Sequence, residues 1–368
     1  MNTYLKEVLM MKILNEKQWK PEIIGELFNV SGSVTTKPED IIPNGNTPRV
    51  TCASTHNGLD DCYQNSATEK GGVLTVDSAT VGTVFYQPFS FIATDHVEKI
   101  QRVDDSFNEN EGLFLQTAIT ASVGTKYQYG YKFSQKRIKR QTVVLPINEA
   151  GDPDYDYMNE YVNHQRKSML NRYICFAKKQ LSKLQYKEIP TLSEKEWIPV
   201  ILDDIFSIGS GTRLESRNKQ PGSRPFVGAA DNNNGVTGFV SNNNASNDSN
   251  VLGVNYNGNG MCIGFYHPYE CIFSDDVKRF HLKNYEDNAY VLLFFKSIIL
   301  KQKSKFGYLY KFNAERMAKQ RLLVPANDDG EPDYAYMEQY AKNMMLKKYK
   351  QYLAFLETKE KSTRVQVL

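Results

Sequence analysis

One stretch of this chain occurs twice. Leu145-Pro146-Ile147-Asn148-Glu149-Ala150-Gly151-Asp152-Pro153-Asp154-Tyr155-Asp156-Tyr157-Met158-Asn159-Glu160-Tyr161 returns about 179 residues later as Val324-Pro325-Ala326-Asn327-Asp328-Asp329-Gly330-Glu331-Pro332-Asp333-Tyr334-Ala335-Tyr336-Met337-Glu338-Gln339-Tyr340. In each copy a short apolar strand ends at a proline, a Gly-acid-Pro-Asp turn follows, and an aromatic-rich helix begins. Proline presets φ for a first helical turn, and clustered acids suit the positive end of a helix. Two copies at that separation in a chain of 368 residues predict a tandem duplication of the whole protein.

Other segments fall into the same register. The two tryptophans, Trp19 and Trp197, open the repeats in Lys17-Gln18-Trp19-Lys20-Pro21 and Lys195-Glu196-Trp197-Ile198-Pro199, and each is followed by a segment reaching Phe28 or Phe206. Before them, residues 1–16 carry Leu5, Val8, Leu9, Ile13 and Leu14 at helical spacing, which predicts a lead-in helix. Each repeat then reads as β. Arg49-Val50-Thr51-Cys52-Ala53 and Pro225-Phe226-Val227-Gly228-Ala229 lead into Asn-Gly turns at Asn57-Gly58 and Asn234-Gly235. Phe85-Tyr86-Gln87-Pro88 matches Phe265-Tyr266-His267-Pro268, and helices are predicted over 111–122 and 287–300.

Between these matched frames the copies diverge. Ser54-Thr55-His56-Asn57-Gly58-Leu59-Asp60-Asp61 stands in the first; Asp231-Asn232-Asn233-Asn234 and an Asn/Ser/Asp run over 241–250 stand in the second. Polar, turn-prone and different is what two surfaces show when each binds something different; drift in unconstrained loops is the bland alternative. Arg49 and Asn57 in the first copy, and Arg213, Arg217, Arg224, Asn232, Asn233 and Asn234 in the second, are the candidate contact residues there.

Each repeat closes with a basic, aromatic segment. The first carries Lys126, Tyr127, Lys132, Lys136, Arg137, Lys139 and Arg140; the second Lys303, Lys305, Lys311, Arg316, Lys319 and Arg321. Lys and Arg beside Tyr suit phosphate neutralisation and packing on sugar or base. A solvated helix face is the usual reading of such a run, but its recurrence in both copies favours phosphate. The helices after the Pro-Asp-Tyr turns carry a matched stripe. Met158, Val162, Gln165, Met169, Tyr173 and Phe176 correspond to Met337, Ala341, Met344, Lys348, Tyr352 and Phe355, a repeat of fours and threes that predicts a helix-packing seam. From Tyr155 to about residue 184, such a helix reaches roughly 45 Å at about 1.5 Å per residue. Two of them lying antiparallel would separate two globular domains.

The bulk charge is mild, +3 with a pI near 8.3, so it permits a polyanion without demanding one. Five scattered cysteines do not make a disulfide framework, the N-terminus lacks a signal-peptide core, and the apolar run 289–300 is too short to span a bilayer. These features lead to the expectation of a reduced, cytoplasmic protein with no membrane partner. Gly209-Ser210-Gly211-Thr212 lacks the lysine and the spacing of a phosphate cradle, and no Asn/Asp-Pro-Pro-aromatic element is present. Pro153-Asp154 and Pro332-Asp333 superficially suggest a metal nuclease, but an aromatic helix follows at once, so helix initiation is the better reading. Cys52, His56 and Cys62, or Cys262, His267 and Cys271, lack a close Cys-x-x-Cys pair or a fourth ligand. No catalytic set, metal or cofactor is expected.

The order of these elements, twice over nearly the whole chain, resembles the DNA-specificity (S) subunits of multi-subunit restriction–modification systems, type I or the related type IIB. The resemblance rests on the Trp-to-Phe openings, the Phe-Tyr-x-Pro segments, the Tyr-x-Tyr-Lys-Phe basic segments and the Pro…Gly-x-Pro-Asp-Tyr closures. It implies two target-recognition domains, each reading half of a bipartite site in double-stranded DNA. It also implies helices that dock methyltransferase (M) subunits, with a restriction subunit or a fused methyltransferase–nuclease as a further partner, and places catalysis in those partners. The Gly-x-Pro-Asp-Tyr closures lean toward the type IIB-like branch.

The expected fold is α+β: two tandem β-rich recognition domains with helices, separated by long antiparallel coiled-coil-like helices. The expected boundaries are a lead-in helix over 1–16, domain 1 over 17–150, spacer helix 1 over 151–190, domain 2 over 191–330, and spacer helix 2 with a tail over 331–368. An unrecognised nuclease or modifying enzyme, and a pseudo-symmetric protein-binding scaffold, are the competing readings; a neighbouring adenine-methyltransferase frame would separate them.

Overall fold

A computed structural model describes residues 14, 16–103, 107–258, 260–307 and 309–365, with side chains as far as 358. The predicted lead-in helix lies outside the described residues except for Leu14 and Glu16. The chain forms two compact units, the first ending at Tyr173 and the second beginning at Ile174. That division falls inside the helix Tyr155–Leu181.

Unit 1 contains β1 (Trp19–Ile23), β2 (Phe28–Gly32), β3 (Pro43–Val50), β4 (Leu59–Tyr63), β5 (Val73–Asp77), β6 (Val84–Gln87), β7 (Ile92–Ala93), β8 (Val97–Arg102) and β9 (Thr142–Pro146). Its helices are α1 (Glu109–Val123), α2 (Gln135–Arg140) and α3 (Tyr155–Leu181). Four strands form an antiparallel sheet in the order β2-β8-β5-β6, three form a mixed sheet β4-β3-β7, and β1 pairs with β9. All five residues of β5, Val-Leu-Thr-Val-Asp, are buried, so this central strand is covered on both faces and its Thr75 and Asp77 are buried polar groups.

Unit 2 repeats this order. It comprises β10 (Trp197–Ile201), β11 (Phe206–Ser210), β12 (Pro221–Val227), β13 (Val236–Val240), β14 (Val251–Asn255), β15 (Gly264–His267), β16 (Ile272–Phe273), β17 (Val277–Leu282) and β18 (Arg321–Pro325). Its helices are α4 (Ala289–Leu300), α5 (Ala314–Ala318) and α6 (Tyr334–Val365). The sheets run β11-β17-β14-β15 and β13-β12-β16, and β10 pairs with β18. Two tandem units of mixed sheets and helices are therefore present.

The duplicated stretch closes each unit. Trp19 sits opposite Pro146, and Trp197 opposite Pro325. Each indole N–H donates to a backbone carbonyl five residues upstream, Leu14 at 2.7 Å and Leu192 at 2.9 Å. After the strand, Asn148 accepts from the amides of Ala150 and Asp152, as Asn327 does from Asp329 and Glu331. Gly151 (φ 83°) and Gly330 (φ 76°) take the left-handed turn that a side chain would strain. Asp154 then accepts from the Tyr157 amide at 3.0 Å and Asp333 from Tyr336 at 2.9 Å, so each caps the helix that follows. Pro153 and Pro332 stand two residues before the first helical residues, Tyr155 and Tyr334, and so outside the first helical turn that the sequence suggested. They bridge instead to Ile147 and Ala326, closing the turn that precedes the capping aspartate.

Burial along the long helices varies among the residues of the predicted stripe. Met158, Met337 and Ala341 are buried and Val162 packs against the core, as expected. Further along, Ala177, Leu346 and Leu356 are buried, whereas Tyr173, Phe176, Tyr352 and Phe355 remain 37–57% exposed, with Phe176 meeting the Tyr349 ring at 6.2 Å. The buried residues stand beside the large rings in sequence, at Ala177 next to Phe176 and Leu356 next to Phe355. A small side chain fits where packing is close, and the ring beside it lies at the rim.

Helix α1 starts at a capping box, with Asn108 accepting from the Glu111 amide and the Glu111 carboxylate accepting from the Asn108 amide. It then presses so tightly on β6 that a Cβ at Gly112 would lie 2.2 Å from the Tyr86 ring. Gly112→Ala should therefore cost about 1–3 kcal/mol by overpacking, read as a lower denaturant midpoint. Gly307→Ala, where a Cβ meets nothing within 4 Å, should leave the midpoint unchanged.

Candidate nucleic-acid interface

The divergent stretches fall at the same place in both units, on the hairpin of the three-stranded sheet. In unit 1 the turn between β3 and β4 is His56–Gly58, with Asn57 in the left-handed region at φ 58°. Asn57 Nδ2 donates to the Tyr86 carbonyl (3.1 Å) and to Gln87 Oε1 (3.2 Å), while Gln87 Nε2 donates to the Asn57 carbonyl (3.1 Å) and to Thr75 Oγ1 (2.9 Å). Arg49 is buried, 2.9 Å from Asp60 and over the Tyr63 ring. These two candidate residues hold the hairpin together, and their side chains point into it.

In unit 2 the turn between β12 and β13 is Asn233–Gly235, with Asn233 (φ 47°) and Asn234 (φ 54°) both left-handed, a conformation that asparagine tolerates. Asn234 Nδ2 donates to the Tyr269 hydroxyl at 2.9 Å, and Asn232 and Asn233 are exposed. Arg224 donates to the carbonyls of Ser241 and Asn242 and pairs with Glu270 at 3.2 Å. Arg217 pairs with Glu215 at 2.8 Å and Arg213 stands 4.0 Å from Asp275; both are largely exposed, at 80% and 76%. Of these candidates, the solvent-facing ones are Arg213, Arg217, Asn232 and Asn233.

The Asn-rich run 241–250 is built by its own side chains. Asn242 accepts from the Gln220 amide and donates to the Asn218 carbonyl; the fully buried Ser246 exchanges two hydrogen bonds with the Phe273 backbone. Asp248 fastens the end of the run to β17 through Arg279 (2.8 Å) and His281 (3.0 Å), and His281 also contacts Asp287 at 2.7 Å. Burial alone would lower the His281 pKa, but hydrogen bonds to Asp248 and Asp287 and their charges outweigh it and raise the value. Burial likewise works to raise the pKa of Asp248, and its bonds with His281 and Arg279 carry it below the usual carboxylate value. Unit 1 places Lys99 and Glu69 as the matching ion pair. Sequence reasoning missed both pairs, whose members stand 30 and 31 residues apart.

The basic segments form a second matched element. Residues 128–131 and 307–310 each make a tight hairpin with reciprocal backbone bonds between the end residues, Gln128 with Tyr131 and Gly307 with Tyr310. Tyr127 stacks between Tyr131 (5.5 Å) and Phe133 (4.5 Å), and its hydroxyl donates to Gln141, so it faces inward. Arg137 lies 3.9 Å over the Tyr131 ring and donates to the Lys132 carbonyl at 2.7 Å; Arg316 does the same with Tyr310 and the Lys311 carbonyl. Lys126, Lys136, Lys139 and Arg140, with Lys303, Lys305 and Arg321, are exposed, while Lys132 and Lys311 are half-buried and Lys319 pairs with Glu315. Tyr308 lies outside the described residues. Among the described residues no group of three or more His, Cys, Asp or Glu side chains is placed to hold a metal ion, and no helix is long and apolar enough to cross a membrane.

Comparison with known proteins gives concordant matches. Residues 16–172 and 194–353 each match the family described as the type I restriction modification DNA specificity domain. Over 328 residues the chain is 40% identical to the type II restriction enzyme BgcI specificity subunit S.BcgI of Heyndrickxia coagulans, covering 88% of this chain and 93% of that one. Among solved structures it is similar to the type I restriction–modification system S subunit from M. genitalium, at 14% identity and a TM-score of 0.44 over 96% of this chain and 95% of that one. It is also similar to the HsdS subunit from Thermoanaerobacter tengcongensis, at 14% identity and a TM-score of 0.31 over 92% and 91%.

Beneath the unit 2 hairpin, His267 occupies the position that Gln87 holds in unit 1. It is fully buried against Phe273 and Tyr269, neither ring nitrogen has a protein partner among the described residues, and burial pushes its pKa down to about 4. The unfolded imidazole takes its proton near pH 6.5, the folded one only near pH 4. Stability is thus complete above about pH 6.5 and falls as the pH drops toward 4, by up to about 3 kcal/mol. His267→Gln should flatten this part of the stability–pH curve in denaturant melts; a curve parallel to that of the unaltered protein would assign the loss to other groups.

Proposed function

The chain belongs to the type I restriction–modification DNA specificity family, and from that membership we propose that each unit reads one half of a bipartite site in double-stranded DNA. It is a specificity subunit of a restriction–modification system with two tandem recognition domains, and it is not itself catalytic. Subunits of this kind bind DNA and assemble with methyltransferase subunits.

The observation that carries the half-site reading is a contrast between the units. The two frames share one strand order, yet the hairpins β3–β4 and β12–β13 carry different residues at the same place in it. Recognition then resides over 17–150 and 191–330, and methylation and cleavage in the methyltransferase and in a restriction subunit or a fused methyltransferase–nuclease. The 40% identity to a type II specificity subunit supports the type IIB-like branch. A cytoplasmic location follows from where such a complex meets DNA.

Methylation mapping of the host genome with and without this gene tests the function directly. Exchanging residues 231–250 for another sequence of equal length should change one half of the methylated motif and leave the other intact. A change in both halves would show that the units do not read independently.

The segments 151–190 and 331–368 act in this reading as spacers, their long helices lying antiparallel between the domains. The helices Tyr155–Leu181 and Tyr334–Val365 and the 6.2 Å contact of Phe176 with Tyr349 support it. A heptad inserted in each helix keeps the packing face within about 20°. It adds roughly 10 Å, or about three base pairs of non-specific spacer at about 3.4 Å each. A folded, binding-competent insert that kept the original spacer would remove these helices as the ruler.

A further inference from the structure

We propose that the hairpins 128–131 and 307–310 are sequence-independent DNA grips, each pressing an exposed apolar tip on the sugar–phosphate wall of the duplex while flanking lysines neutralise phosphates. This rests on the DNA-reading function above and adds a contact separate from the divergent loops.

The first support is presentation. Tyr129 is 80% exposed and Leu309 is 95% exposed, while Tyr127 and Phe306 stack inward on Phe133 and Phe312. In the second hairpin Phe306 stacks on Phe312 at 4.5 Å, just as Tyr127 stacks on Phe133. Arg137 and Arg316 brace the two hairpins identically, each over a tyrosine ring and donating to the carbonyl that follows it. They are positioning residues: their charge is already engaged within the hairpin. An apolar group held outward by so much local structure is prepared for a surface.

Charge identifies that surface. Residues 125–141 contain six Lys or Arg and no acid; residues 301–321 contain seven and one acid. Each segment therefore carries +6, against +3 for the whole chain, so the remainder is at −9. Cation clustering of this kind around an exposed ring or aliphatic tip fits a polyanion whose backbone alternates phosphate with apolar sugar.

Position ties the grip to the reader. In unit 1, Phe133 abuts the turn between β5 and β6, where a Cβ on Gly82 would lie 2.7 Å away. Ser78 of that turn donates to the His96 carbonyl, which also accepts from Cys52, the residue that leads into the divergent loop. In unit 2, Phe312 shares the core with Cys262, whose amide donates to the Asn255 carbonyl. The Asn255 side chain donates to Ala230 at the start of the Asn-rich turn, 2.8 Å away. Grip and reading loop thus flank the same β-turn in both units. The loops differ, whereas the grips share their stacked ring pair and arginine brace and vary only in which tip position carries the exposed group, as expected if loops meet bases and grips meet the backbone common to both half-sites.

The test uses the full chain in a salt series against the duplex carrying its mapped site and two unrelated duplexes. Tyr129→Ser combined with Leu309→Ser should weaken binding to all three by roughly tenfold and leave the log–log salt slope unchanged. Lys126→Ala and Lys136→Ala should each reduce that slope by about 0.9. Both tip residues are exposed, so an unshifted thermal melt confirms that the variant is folded. Unaltered affinity of the tip variant would overturn the proposal, and so would a loss confined to the mapped site. Retained DNA affinity with lost co-purification of the methyltransferase would reassign the tips to protein docking and overturn it too. If the unaltered chain binds no duplex, the underlying DNA-reading function fails, and that result comes from the wild-type arm alone.

Discussion

Each unit depends on the pairing of its first strand with its last. Trp19 opposite Pro146 and Trp197 opposite Pro325 bring the entry and exit of a unit together, and the chain leaves through a capped helix at that point. Lys17 joins Asp154 at 2.6 Å and Lys195 joins Asp333 at 2.7 Å, and each ammonium also lies over a tyrosine of the helix it helps to start, Tyr157 and Tyr336. Both pairs are largely shielded from water. Desolvation offsets most of the attraction in such a pair, so what it contributes is orientation more than stability. Burial acts to raise the Asp154 pKa, but hydrogen bonds from Lys17 and the Tyr157 amide carry it below the usual carboxylate value, which keeps the cap ionised.

With entry and exit joined, everything between them is free to vary as a module. The four-stranded sheet and the helix behind it keep the same order in both units, while the hairpin of the small sheet changes its residues. A hairpin turn tolerates such change when the backbone conformation is retained. Asn57 and Asn234 both stay left-handed and both donate to the carbonyl of the matched tyrosine, Tyr86 or Tyr266, but the second partner is Gln87 in one unit and the Tyr269 hydroxyl in the other. The fold thus separates a fixed frame from a replaceable surface, the division that a specificity subunit needs if one protein architecture is to address different DNA sequences.

The buried polar groups follow the same division. Gln87 ties its turn to Thr75, whereas unit 2 has His267 over Gly253, with a Cβ there 3.2 Å from Nε2. Removing the threonine hydroxyl and enlarging the partner fills the same volume without the hydrogen bond. The ion pairs Lys99–Glu69 and Arg279–Asp248 are kept, and unit 2 adds His281 to hold the Asn-rich run.

The duplication, the β-rich middle, the Asn-Gly turns and the helix starts at Tyr155 and Tyr334 were legible in the sequence, because they depend on short-range chemistry. A proline, a left-handed glycine and a capping aspartate act within a few residues of one another. The family was legible in the order of the Trp-to-Phe openings, Phe-Tyr-x-Pro segments, basic aromatic segments and Gly-x-Pro-Asp-Tyr closures, repeated over the chain. What tertiary structure alone decided is which side chains face outward. Arg49 and Arg137 read as contacts in sequence, but one is buried against Asp60 and the other lies on Tyr131. On the long helices the fully enclosed positions are Ala177 and Leu356, beside the predicted Phe176 and Phe355, because enclosure within one chain depends on the space between backbones and not on ring size. Partners brought together across some thirty residues, or chosen by the space left between backbones, have no signature in local spacing. Only the folded chain settles them.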